Sequence, residues 1–110
     1  MLEIIRKLAG DYRNEIVEYR NHIHANPELS FVEYETSAYI QKLLKSFNIQ
    51  FQVMANTGVV ALIEGKNPRK KITALRADID ALPILEKNEV AYKSTRPGIM
   101  HACGHDVHTA

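Results

Sequence analysis

The hydrophobic period of the chain changes once, at Asn48, and that change limits the folds open to it. Before Asn48 apolar side chains recur every three or four residues; after it they recur every second residue. The first spacing lines one face of an α-helix and the second lines one face of a strand, so a helical half must join a sheet. Leu2, Ile5, Leu8, Tyr12, Ile16, Tyr19 and Ile23 make one stripe. It predicts a helix over roughly residues 2–24 that Gly10 weakens and Pro27 ends. A second helix is expected from Ser30 as N-cap, with Glu33 completing a capping box and Phe31, Tyr34, Ala38, Leu43, Leu44 and Phe47 facing inward. Asn48 suits the end of that helix.

Beyond it, Ile49, Phe51 and Val53 alternate with Gln50, Gln52 and Met54, the pattern of a half-buried strand. Asn56, Thr57 and Gly58 read as a turn, residues 59–63 as a second strand and residues 72–77 as a third, buried one. The polar stretch 65–71 between the last two carries Lys66, Arg69, Lys70 and Lys71, a solvated basic turn with no aromatic interleaving for nucleic acid. The expected class is α/β or α+β, a sheet covered by helices.

Composition narrows the function. The 110 residues carry 14 basic and 13 acidic side chains, a net charge of +1 that excludes a polycationic nucleic-acid binder. The longest apolar run, residues 59–63, falls far short of the roughly 18 residues of a membrane span. Cys103 is the single cysteine, so no intrachain disulfide can form, and no secretory pattern opens the chain; a reducing, cytoplasmic setting fits both.

Functional residue types concentrate in two places. In the first, a candidate strand ends in Asp78 and Asp80, which an extended backbone would point the same way; a turn explains the same pair equally simply. In the second, residues 100–108 hold His101, Cys103, His105, Asp106 and His108. Cys103 and His105 flank Gly104, so a thiolate and an imidazole could reach one ion, a donor pair that suits zinc or a similar first-row metal. A Cys–His nucleophilic pair and a buried, functionless cysteine are the competing readings. His22 and His24, at the end of the first helix, suit capping or packing.

Taken together these motifs resemble a known family. The run Tyr19-Arg20-Asn21-His22-Ile23-His24-Ala25-Asn26-Pro27-Glu28-Leu29-Ser30, with Glu33 and Thr36, resembles the opening signature of the bacterial and plant amidohydrolases. These are the hippurate hydrolases, N-acyl-amino-acid hydrolases and indole-acetyl-amino-acid hydrolases, relatives of the di-metal carboxypeptidase G and aminoacylase peptidases. The blocks at residues 57–61, 74–83 and 97–106 are similar to the next three of that family, in order. The resemblance implies an α/β/α di-metal catalytic domain with a lid domain inserted later. Residues 1–110 are expected to be the N-terminal portion of that catalytic domain, incomplete here, with the lid absent.

It further implies two divalent ions, manganese or zinc, with Cys103 and His105 among their ligands. Asp80 takes the place of the acid that backs a ligand without touching the metal. Asp78 stands where the peptidase relatives have a metal-binding His, which leaves the part of either acid open. The general base and the remaining ligands are expected beyond Ala110. The implied reaction is cleavage of the amide of an N-acyl amino acid to a carboxylic acid and an amine, with no nucleic-acid or membrane partner and with a homo-oligomer compatible. The competing class is a non-catalytic truncated module that binds another polypeptide through an open sheet edge.

Overall fold

The computed structural model describes residues 1–68 and 70–110; of the basic turn, Arg69 lies outside the described residues, while Lys66, Lys70 and Lys71 are exposed. The order of elements is α1 (Leu2–Asp11), α2 (Arg13–Ala25), α3 (Tyr34–Ser46), β1 (Gln50–Met54), β2 (Gly58–Leu62) and α4 (His105–Thr109).

The expected first helix is therefore two. The break falls at Tyr12, at φ −90° and ψ −2°, directly after Gly10 and Asp11, two weak helix formers. No residue of α1 is buried, so packing does not enforce the apolar stripe there. In α2 the same stripe is used, and Ile23 is buried.

The start of α3 also departs from the capping-box expectation. Phe31 adopts φ +70° and lies exposed, and the helix begins only at Tyr34. Its cap comes from upstream. The buried Glu28 carboxylate accepts the amides of Glu35 (3.1 Å) and Thr36 (2.7 Å) and the Thr36 hydroxyl (2.8 Å), satisfying first-turn donors with a charge that also suits the helix dipole. Glu33 turns away to accept the Thr57 hydroxyl at 2.8 Å, tying the start of α3 to the hairpin turn. The other end is as expected. Asn48 takes the left-handed conformation at φ +56°, the Asn48 amide donates to Lys45 and the Ile49 amide to Leu44, which is a Schellman closure.

β1 and β2 pair antiparallel with Gln50 opposite Leu62 and Met54 opposite Gly58. The turn places Ala55 and Asn56 at positive φ, and a Cβ on Gly58 would lie 2.8 Å from the Met54 carbonyl oxygen, so the strand can start there only with glycine. α3 packs over this hairpin, and α2 packs on α4.

The third strand expected at residues 72–77 is not paired among the described residues; Ile72 is 88% and Leu75 97% exposed. Its composition suits burial on both faces, but a strand forms only where another segment supplies the ladder, and the hairpin does not. Below it the chain re-engages, with Ala81 bridging Leu29 in parallel and Leu82 bridging Met100 antiparallel. Among the described residues the buried apolar side chains are Ile23, Pro27 and Ala81, while the other buried groups are polar or charged. Among the described residues no helix is long and apolar enough to cross a membrane.

Candidate metal centre

Three distant stretches are laid side by side by backbone bonds. The Ala81 amide donates to the Glu28 carbonyl at 2.7 Å, and Leu82 and Met100 exchange two bonds of 3.0 Å. Residues 28–30, directly after the fully buried Pro27, thus run together with residues 80–82 and 100–102. Past Met100 the chain turns at Gly104, whose φ of +80° is open to glycine without strain, and enters α4.

This turn brings His105 to Asp80. Nδ1 of His105 lies 3.0 Å from both the carboxylate Oδ1 and the backbone carbonyl of Asp80. Both atoms only accept, so Nδ1 is placed to donate to them, and Nε2 is left outside this contact. The other carboxylate oxygen, Oδ2, accepts the Ser30 hydroxyl at 2.5 Å. That bond is the main reason the Asp80 carboxyl lies below its ordinary value; burial opposes it, and the Asp80 amide and His105 assist. Cys103 is a free, exposed thiol on the same turn.

Asp78 is not brought into this group. Its exposed carboxylate pairs with Arg76 at 2.8 Å, and only its backbone carbonyl reaches across, accepting the Thr109 hydroxyl at 3.1 Å. The expected same-side alternation of Asp78 and Asp80 fails because no ladder holds residues 72–79 extended against a neighbour.

Behind the turn lies a buried ionic network. Asp106, 1% exposed, accepts from Arg20 Nε (2.7 Å) and His24 Nδ1 (2.8 Å) on the same oxygen, Oδ2. The far nitrogen of His24 meets Glu86 Oε1 at 2.9 Å, and Glu86 Oε2 accepts the Ser94 amide at 2.6 Å. Each ring nitrogen of His24 thus faces a carboxylate oxygen, and Arg20 Nη2 lies 3.3 Å from Nδ1. Burial alone would raise Glu86, yet the bonds from His24, Ser94 and Asn88 outweigh it and hold its carboxyl at about 2. Asp106 is likewise held low, burial being outweighed by the His24 bond and the Arg20 charge. His24 therefore does not cap the end of α2; it locks α2 to α4 and to the loop after Glu86. His22 alone meets the simpler expectation, stacked on Tyr39 with ring centroids 3.9 Å apart. His101 is buried with neither ring nitrogen on a protein partner, and burial pushes its pKa down.

Among the described residues no group of three or more His, Cys, Asp or Glu side chains is placed to hold one ion. The candidate donors are the Cys103 sulfur and the His105 Nε2, on either side of Gly104. A ligating histidine typically donates its other ring N–H to a carboxylate or carbonyl, and His105 is placed to donate to both. The donor set fits a divalent first-row ion, to which it would contribute two ligands.

Residues 74–110, which carry Asp80, Cys103, His105 and Asp106, match the model of peptidase family M20/M25/M40. Over 94 residues the chain is 51% identical to an uncharacterized hydrolase of Staphylococcus aureus, across 86% of this chain and 24% of that protein. Over 109 residues it is 42% identical to an N-acyl-L-amino acid amidohydrolase of Geobacillus stearothermophilus, across 98% of this chain and 29% of that enzyme. Its fold matches the crystal structure of Bacillus subtilis YXEP, a dinuclear metal binding peptidase from the M20 family, with a TM-score of 0.85 and 40% identity over 91% of this chain and 28% of that one. By these matches the chain is similar to a fragment of the hydrolases of peptidase family M20/M25/M40. A second solved structure, from methicillin-resistant S. aureus, agrees over 99% of this chain and 29% of that chain, with a TM-score of 0.89 and 36% identity. The chain spans about a quarter of the length of the curated M20-type relatives it matches.

Arg20, Glu86 and Asp106 were not legible as a unit in the sequence. Single acids and bases read as solvated, and nothing local marks the three as partners.

Proposed function

We propose that the chain contributes Cys103 and His105 as ligands to a dinuclear metal centre that hydrolyses the amide bond of N-acyl amino acids. The observation that carries this reading is the contact of His105 Nδ1 with Asp80, 3.0 Å from its carboxylate and from its carbonyl, which leaves Nε2 as the nitrogen to ligate. The relatives support it, since one is an N-acyl-L-amino acid amidohydrolase and another a dinuclear metal binding peptidase.

Divalent ions at such a centre, zinc or manganese, supply activation of water and polarisation of the amide carbonyl. The chain's own residues do the positioning. Cys103 contributes a thiolate, which neutralises part of the cationic charge, and His105 contributes a neutral nitrogen whose basicity the Asp80 carboxylate raises. Gly104 lets the two donors share one tight turn, and Asp106, anchored to Arg20 and His24, fixes the start of α4 immediately after His105. The cytoplasm, as a reducing compartment, keeps the exposed Cys103 thiol available for this role.

The test compares Cys103→Asp, Cys103→Ala and His105→Ala in the full-length gene product, measuring metal content and hydrolysis of hippurate and other N-acyl amino acids side by side. Asp can stand in part for a thiolate ligand but not for a thiol nucleophile, so Cys103→Asp should keep some metal and some turnover while both alanine variants lose both. Full metal occupancy in an inactive Cys103→Ala protein, with an acyl-thioester trapped on the wild type, would make Cys103 a nucleophile instead.

A further inference from the structure

Ser30 has the residue type and position of a helix cap, yet Glu28 caps α3 and leaves the Ser30 hydroxyl free. That hydroxyl donates to Asp80 Oδ2 at 2.5 Å, although the two residues stand fifty positions apart. The backbone enforces the meeting, because the Ala81 amide on the Glu28 carbonyl and the pairing of Leu29 with Ala81 set residue 30 beside residue 80.

Asp80 consequently uses both carboxylate oxygens, Oδ2 on Ser30 and Oδ1 on His105 Nδ1. A carboxylate bonded through one oxygen can still turn about its broad terminal torsion; bonded through both, its plane is set. We propose that Ser30 is a positioning residue for the His105 imidazole. By fixing the Asp80 carboxylate plane it holds the proton on Nδ1 and keeps Nε2 as the ligating nitrogen. The inference rests on the reading of Cys103 and His105 as metal ligands, and it assigns Ser30 no contact with metal or substrate.

The exposed position of Ser30 allows a clean test. In the full-length gene product, zinc affinity is measured by competition with a chromophoric chelator. The His105 tautomer is read in the metal-free protein by long-range proton–nitrogen NMR. Ser30→Ala should weaken zinc binding about 3- to 10-fold, less than the roughly 10- to 100-fold typical of a ligand's direct partner, and should raise the share of the Nε2-protonated tautomer. Ser30→Thr, which keeps a hydroxyl, should restore both, with melting temperature and far-UV circular dichroism unchanged throughout. Wild-type affinity and tautomer in Ser30→Ala, a loss that Ser30→Thr does not restore, or a loss that comes with a lowered melting temperature would each overturn the positioning role. Cys103→Ala and His105→Ala separate the two ideas. If they too bind zinc as the wild type does, the ligand reading fails; if they lose zinc while Ser30→Ala does not, only the role of Ser30 falls.

Discussion

Replacing Asp106 by alanine removes the one acceptor shared by Arg20 and His24, and the structure sets what that costs. Each lost bond is charge-assisted, a class worth about 1.5–3 kcal/mol, and stripping one partner from a buried pair costs about 3–5 kcal/mol. The two halves are unequal. Arg20 is 26% exposed and can rehydrate, so its share is small, whereas His24 is 4% exposed and keeps Glu86, with Arg20 Nη2 at 3.3 Å from its Nδ1. We expect about 3 kcal/mol for Asp106→Ala, near the lower end of that range. Asp106→Asn is a sharper probe. Both bonds fall on Oδ2 while Oδ1 meets no protein partner, so the amide carbonyl can take the place of Oδ2 and keep both bonds in place. Only the charge goes, and because a charge-assisted bond is about twice as strong as a neutral one, the cost should be about half, near 1.5 kcal/mol. Native-state amide exchange resolves this locally. Amides of α2 and of residues 105–110 should exchange about two decades faster in Asp106→Ala and about one decade faster in Asp106→Asn, since each decade is about 1.4 kcal/mol. Protection in Asp106→Ala within about 0.5 kcal/mol of wild type, the span of an ordinary surface substitution, would refute the clamp, and equal losses in the two variants would refute the division between bond and charge.

Acid should loosen the same region in a defined window. The Glu86 carboxyl is depressed from 4.5 to about 2, so its contribution is fully present above about 4.5 and is lost as pH falls through about 2. Protection of α2 should therefore decline over that interval, and Glu86→Gln should flatten the decline; an unchanged slope would remove Glu86 from the network. At the other end of the fold, Glu28→Ala should fray the first turn of α3 at a cost of about 2 kcal/mol, the upper end for a lost cap, visible as faster exchange at Glu35 and Thr36. Ser30→Ala should leave those two amides unchanged, and fraying there would return the capping role to Ser30.

What could be read from the sequence divides by the range of the interaction. The end of α3 was legible because a Schellman closure at Asn48 involves only neighbours in the chain, and the hairpin was legible because its alternation and turn residues are adjacent. The start of α3 was misread because its cap comes from Glu28, five residues before the Ser-x-x-Glu pattern is complete, and local patterning favours the nearer Ser30. The strand at residues 72–77 was misplaced for the same reason: composition says that a segment can be buried, but not which segment will pair with it. Cys103 and His105 stood out because they share one turn. Their support did not, because Asp80 is 25 positions from His105 and Asp106 is 82 from His24.

That division also explains why the interior of this segment is ionic. A site that places His105 against Asp80, and α4 against α2, must fix directions as well as distances, and dispersion between apolar side chains has no direction. Carboxylates shared between Arg20 and His24, or between Ser30 and His105, do have one, and each admits a single arrangement of its donors. Such groups add little net stability once their desolvation is counted, so their burial around this turn is better explained by the geometry they impose. If that is correct, replacing the ionic group by apolar side chains of equal volume should leave residues 13–25 and 105–110 folded yet disturb His105. Arg20→Met, His24→Leu, Glu86→Leu and Asp106→Leu introduced together make that replacement, Glu86 included because its buried carboxylate would otherwise lose its partner. Unchanged amide protection with a mixed His105 tautomer is the expected NMR signature, whereas a wild-type tautomer in the quadruple variant would show that Asp80 and Ser30 suffice to orient the ring.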